Sequence, residues 1–124
     1  MLFVPNKYLQ FEIDRLIMPL ASKEDIESFA EKVRAEFGER LEEIILYGSY
    51  ARDDHVPGSD IDIAVFVDEK RENDREKLFD IADEFKERKG LKFSPRVFEK
   101  EEFMEKVDED WSFHSNVEKE GVEI

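Results

Sequence analysis

Gly48-Ser49 closes one apolar run, Ile44-Ile45-Leu46-Tyr47, and stands ten residues ahead of two alternating carboxylates, Asp60 and Asp62, that open another, Ile63-Ala64-Val65-Phe66-Val67. The first run reads as a short buried strand, and the glycine breaks it sharply. Gly48 can take backbone angles that residues with a Cβ resist. If Ser49 then opens a helix through Tyr50-Ala51-Arg52, its hydroxyl and the free N–H groups of that turn point beyond the strand end, which suits a phosphate. Downstream, Pro57-Gly58-Ser59 is a turn signal, and the alternation from Asp60 to Val67 predicts a second strand. Strand side chains repeat every two residues, so Asp60 and Asp62 project on one face.

Two carboxylates about 7 Å apart along a strand repel each other unless water or a cation neutralises them. A hard cation with oxygen ligands resolves the conflict. Mg²⁺ is the natural choice, because it takes one or two carboxylates and completes its octahedron with water and phosphate oxygens. A phosphate donor would then lie between the Ser49 turn and the metal. In-line attack on an α-phosphorus, with pyrophosphate leaving, is the reaction such an arrangement favours.

The pattern Gly48-Ser49, ten residues, Asp60-x-Asp62 resembles that of the polymerase-β-like nucleotidyltransferase superfamily. With so short a chain around it, the sequence resembles the minimal nucleotidyltransferase (MNT) domains, among them the MntA-like antitoxins that occur beside a small helical HEPN toxin. The likeness extends loosely over nearly all of the chain, from the helix before Leu41 to the helix ending near Gly121. It implies an α/β (α+β) fold, a small mixed β-sheet covered by helices. It implies further that Gly48 and Ser49 hold the triphosphate, that Asp60 and Asp62 bind Mg²⁺ as the catalytic pair, and that AMP is transferred from ATP to a HEPN-type toxin partner. Two other functions are compatible with the same residues. One is a noncatalytic antitoxin that neutralises the toxin by binding; the other is transfer to a small molecule.

The superfamily usually adds a third carboxylate from a following strand, where it ligates a metal and can take the proton of the attacking hydroxyl. The corresponding strand, residues 91–98, contains no Asp or Glu. Glu99, one step beyond it, is the nearest candidate for the third acid. Arg52, three residues past Ser49, lies near the same helix face and could reach a phosphate oxygen; paired with Asp53 or Asp54 it would instead be a surface ion pair. The family often has glycine where this chain has Asp53. Ser59 is expected to order the turn, His55 to be solvated in the loop, and His114 to lack a partner for metal binding.

The 124 residues are expected to form one domain, residues 1–124, too short to include a separate acceptor-binding domain. An acceptor would therefore be held on the surface or brought by a partner, which favours a protein. Lys and Arg number 19 against 33 Asp and Glu, for a formal charge of −14. That balance opposes direct nucleic-acid binding and suits solubility or a basic partner. The absence of cysteine removes disulfide and thiolate chemistry. Met1-Leu2-Phe3-Val4-Pro5 lacks the basic start and long apolar run of a leader, and no stretch reaches membrane-spanning length, so a cytoplasmic protein is expected.

Residues 5–18 are compatible with a helix or an irregular arm. Ser22 caps a predicted helix with Ile26, Phe29, Ala30, Val33 and Phe37 inward and Gly38 at its end. A long helix is predicted over 69–89, with Leu78, Ile81, Ala82 and Phe85 inward and Gly90 as its stop. Pro95 lacks a donor, so the strand at 91–98 should lie at a sheet edge or break there, and a partner or acceptor could enter at this point. Two short helices, 100–107 and 111–119, should close the chain; Trp111 or Phe113 left exposed would mark an interface.

Overall fold

The computed structural model describes residues 20–109 and 111–124. The helix or arm expected over 5–18 lies outside the described residues. Helix α1, Lys23–Phe37, starts with a capping box: Asp25 N–H donates to Ser22 Oγ (3.1 Å) and Ser22 N–H to Asp25 Oδ2 (2.9 Å). Its buried residues are Ile26, Phe29, Ala30, Val33 and Phe37, the stripe that the sequence period requires. A 3₁₀ turn, Gly38–Arg40, leads into strand β1, Leu41–Tyr47, which ends at Gly48 and the single-turn helix α2, Ser49–Arg52. Strand β2 is Ile61–Val67, helix α3 Asp74–Lys89, strand β3 Phe93–Glu99, helix α4 Lys100–Asp108, helix α5 Ser112–Glu120 and strand β4 Val122–Glu123.

The four strands form one mixed sheet in the order β3-β2-β1-β4. β1 runs antiparallel to both neighbours, while β2 and β3 are parallel, joined by the crossover helix α3. The two faces of β2 divide its residues. Ile61, Ile63, Val65 and Val67 pack with Ile44 and Leu46 under α1 and α3, where Phe29 stacks on Phe93 at 4.2 Å. Ala64 and Phe66 pack on the other face with Ile45, Phe103 and Val117 beneath α4 and α5. That second layer covers Ala64 and Phe66 completely, yet leaves Asp62, one step towards the strand start on the same face, half-buried. One end of an otherwise sealed strand is thus open.

The structure departs from expectation in several places: the strand expected over 91–98 is Phe93–Glu99, so Glu99 is its last residue and not one step beyond it. The helix predicted from 69 begins at Asp74, because the Asp74 carboxylate accepts from Arg71 N–H (2.7 Å) and from both terminal nitrogens of Arg40 (3.0 and 2.7 Å), fixing a turn before the helix. β4, beyond the last predicted helix, pairs Val122 with Leu46 and Glu123 with Ile45. β3 lies at the sheet edge, as Pro95 requires. Trp111 is 50% exposed, with Lys106 Nζ 3.7 Å from its ring centre; Phe113 is partly buried against Tyr47. Among the described residues no helix is long and apolar enough to cross a membrane.

Candidate active site

Gly48 has φ 75°, a region that penalises any Cβ, and a Cβ built there would overlap Oδ2 of Asp62. Glycine is therefore required twice, by the break after β1 and by the carboxylate lying against it. Tyr47 pairs with Asp62 across the β1–β2 ladder, so the turn and the carboxylate share one end of the sheet. The Gly48 carbonyl accepts from the N–H groups of Ala51 and Arg52 (3.1 Å each), which winds α2 and leaves its leading N–H groups without helical partners.

The loop from α2 to β2 is held at both ends. Asp53 closes α2 with φ 59°, a conformation that Asp tolerates better than most side chains and that explains why glycine suits this position. Ser59 orders the following turn as expected: Val56 N–H donates to Ser59 Oγ, and Ser59 N–H to Val56 O, both at 2.9 Å. His55 is not free in solvent. Its ring stacks on Tyr50 at 3.9 Å, nearly parallel, and the Tyr50 hydroxyl accepts from Ala21 N–H (3.0 Å).

Asp60 is exposed and Asp62 half-buried, and the two interact. Burial, then the charge of Asp60, pushes the Asp62 carboxyl above the ordinary carboxylate range, with the Arg52 charge pulling the other way. No hydrogen bond to a described residue compensates Asp62. Arg52 Nε donates to Asp54 Oδ2 (3.1 Å), and Arg52 Nη1 lies 3.7 Å from Glu120 Oε2, so the ion pair with Asp54 is formed while the guanidinium still acts electrostatically on Asp62. Two hard carboxylates short of positive charge are a donor set that matches a divalent cation such as Mg²⁺, which needs only one or two of them beside phosphate oxygens. Among the described residues no group of three or more His, Cys, Asp or Glu side chains comes together to hold a metal.

Glu99 does not join the pair. It sits opposite Val67, five residue steps from the level of Asp62, or about 17 Å along the strand. Its carboxylate accepts from Lys70 N–H (3.4 Å) instead. The residues of β3 that share the face of Asp62 are Ser94, directly opposite Asp62, Arg96, opposite Ala64, and Phe98, opposite Phe66. Arg96 lies over the rings of Phe113 (4.5 Å) and Phe98 (5.2 Å). Tyr47 completes this wall: burial and the Asp62 charge push its hydroxyl above its usual range, against the pull of Arg96. Sequence reasoning passed over Tyr47, Ser94 and Arg96; counting by twos along three aligned strands was the signal for them, and it required the sheet order. His114 lies among Phe98, Phe103 and Trp111, and burial followed by the charges of Lys106 and Arg96 holds its imidazole below the usual range.

A strand broken at glycine, and a partner strand that brings a carboxylate onto that glycine, place the chain among the nucleotidyltransferases. It belongs to the nucleotidyltransferase domain family, whose model matches residues 26–124. It is 34% identical over 96 residues to a candidate protein adenylyltransferase of Methanocaldococcus jannaschii, spanning 77% of this chain and 90% of that protein. A second candidate protein adenylyltransferase of the same organism is 42% identical over 77 residues, 60% of this chain and 52% of that protein. The fold is shared with a crystal structure of a toxin–antitoxin with AMP-PNP, at a TM-score of 0.53 over 78% of this chain and 70% of that one, with 19% identity.

Proposed function

We propose that the protein transfers AMP from ATP to a hydroxyl of a partner protein, a HEPN-type toxin that it thereby silences in the cytoplasm. The observation that carries this reading is the contact of Gly48 with the Asp62 carboxylate, which puts a phosphate-sized turn and a cation-seeking pair of acids side by side. Gly48 and Ser49 receive the triphosphate on the bare backbone and the leading N–H groups of α2. Asp60 and Asp62 would hold Mg²⁺, which supplies neutralisation of phosphate charge. Arg52, already balanced between Asp54 and Glu120, is positioned to exchange those partners for a phosphate oxygen. The acceptor hydroxyl oxygen bonds to the α-phosphorus as the bond to the bridging oxygen breaks. Pyrophosphate leaves with that oxygen and its electron pair. Ser94 and Arg96 provide no carboxylate where a general base would stand, so the hydroxyl proton passes to solvent.

Incubation with ATP, Mg²⁺ and a HEPN-type toxin should add the mass of one AMP to the toxin, and neither Asp60→Asn nor Asp62→Asn should support the gain. No mass change together with no ATP binding would sink the reading. The lack of an acid at the Asp62 end of β3 favours a second possibility, neutralisation by binding alone. In that case Asp60→Asn still neutralises the toxin, whereas transfer requires that neutralisation be lost.

A further inference from the structure

The outer edge of β3 carries the reverse of the molecule's charge. Two adjoining grooves run along it and share Phe79 and Ser94. One, of about 430 Å³, lies between residues 95–97 and the side chains of Lys70, Arg75 and Phe79. The other, of about 270 Å³, continues past Ser94 to Lys86, Lys92 and Asp60. Together they are lined by five cations, Lys70, Arg75, Lys86, Lys92 and Arg96, against two carboxylates, Asp60 and Asp83. The whole chain has 33 acidic and 19 basic residues. None of the five cations forms an ion pair with a described carboxylate.

The backbone of this edge is unpaired by any described strand. Ile61 N–H donates to Lys92 O (2.8 Å), so Lys92 faces β2, and alternation then turns Ser94 and Arg96 inward and Phe93, Pro95 and Val97 outward. Pro95 therefore sits where its missing N–H costs the sheet no bond, while Phe93 and Val97 offer outward donors and acceptors. Proline and lysine on a strand also guard an edge against aggregation. A guard, however, needs no outer wall. Here α3 supplies one, with Phe79 40% exposed and the Arg75 guanidinium 5.2 Å from its ring centre.

We propose that this edge docks an extended, acidic segment of a partner polypeptide by strand addition, delivering a side chain to the Asp60–Asp62 end. Backbone bonds to Phe93 and Val97 supply affinity, and the five cations select acidic side chains. A residue paired opposite Ser94 would project on the face of Asp62. Two strand spacings, about 10 Å, separate it from β2. Delivery to the carboxylates rests on the transfer reading above; docking does not require turnover.

The test uses the whole protein and a fluorescein-labelled ten-residue peptide alternating Glu with Val or Thr around a central Tyr. Anisotropy at low salt should show saturable binding, weakened about tenfold by the double variant Lys70→Glu/Arg75→Glu, roughly one weak surface charge contact for each reversal. Asp62→Asn should bind as the unaltered protein does. Amide NMR signals that shift should centre on Phe93 and Val97. No saturation, undiminished binding by the double variant, shifts centred on another face, or tighter binding of a Lys-for-Glu peptide or a single-stranded oligonucleotide would each overturn the proposal. Docking at this edge together with no mass gain on the toxin and no ATP binding would defeat the transfer reading and leave the docking intact. AMP transfer to a partner with KM unchanged in the double variant would do the reverse.

Discussion

At Gly48 two independent constraints meet: a positive φ and the carboxylate of Asp62 against the Cα. Gly48→Ala must therefore both strain the turn and displace Asp62. We expect a loss of about 1–3 kcal/mol in urea unfolding together with loss of ATP binding. Asp62 has the opposite balance between stability and function. Its charge is disfavoured by burial and by Asp60, and no described hydrogen bond offsets this. Asp62→Asn should melt at or above the temperature of the metal-free protein, and under the transfer reading Mg²⁺ with ATP should raise the melting temperature of the unaltered chain but not that of the variant. A clearly lower melting temperature for the variant without metal would show that the carboxylate is structurally satisfied. The glycine was legible in the sequence because it stood between two apolar runs. Its contact with Asp62 was not, since that depends on the register of Tyr47 against Asp62.

Among the elements, α1 could be read directly because its burial follows a single period between Ser22 and Gly38, and β2 because it is an unbroken apolar run after a turn signal. The start of α3 could not. Residues 69–73 have a helix-compatible composition, and what stops them is a carboxylate ligated by Arg40, 34 residues earlier. Glu99 misled for a related reason, because it is the last residue of β3 and so lies most of a strand length from the Asp62 end. The Arg40–Asp74 pair joins the entrance of β1 to that of α3, and Asp74 is 1% exposed. Asp74→Asn should cost about 3–5 kcal/mol at neutral pH by stranding Arg40. Burial pushes the Asp74 carboxyl up, but the Arg40 hydrogen bonds, the Arg71 N–H and the charges of Arg40 and Lys77 more than offset it, leaving it below the usual range. A carboxyl depressed in the folded state stabilises above its unfolded value, near 3.9, and loses that contribution as pH falls through the folded value. The difference between the two proteins in urea midpoint should accordingly be large at pH 7 and shrink below about pH 4. A difference independent of pH would mean that packing, not charge, is what Asp74 supplies.

For the molecule as a whole, a formal charge of −14 implies self-repulsion that salt can screen. The exposed ion pairs, such as Arg34–Glu31 and Arg88–Glu84, are each worth little and lose little on screening. Raising NaCl from 20 mM to 500 mM should therefore increase the melting temperature by roughly 2–5 °C. A decrease would mean that the ion pairs outweigh the repulsion. Composition disclosed the charge but not its arrangement, because Lys70, Arg75 and Arg96 come together only when α3 crosses over to β3. The sheet has a further effect on how such a protein can be controlled. β2 is hydrogen-bonded along both edges and covered on both faces, with Asp62 near its start. Local fraying at β4 leaves that strand in place, so Asp62 should keep its geometry until the sheet itself opens. Partial unfolding confined to β4 should therefore leave Asp62 in place.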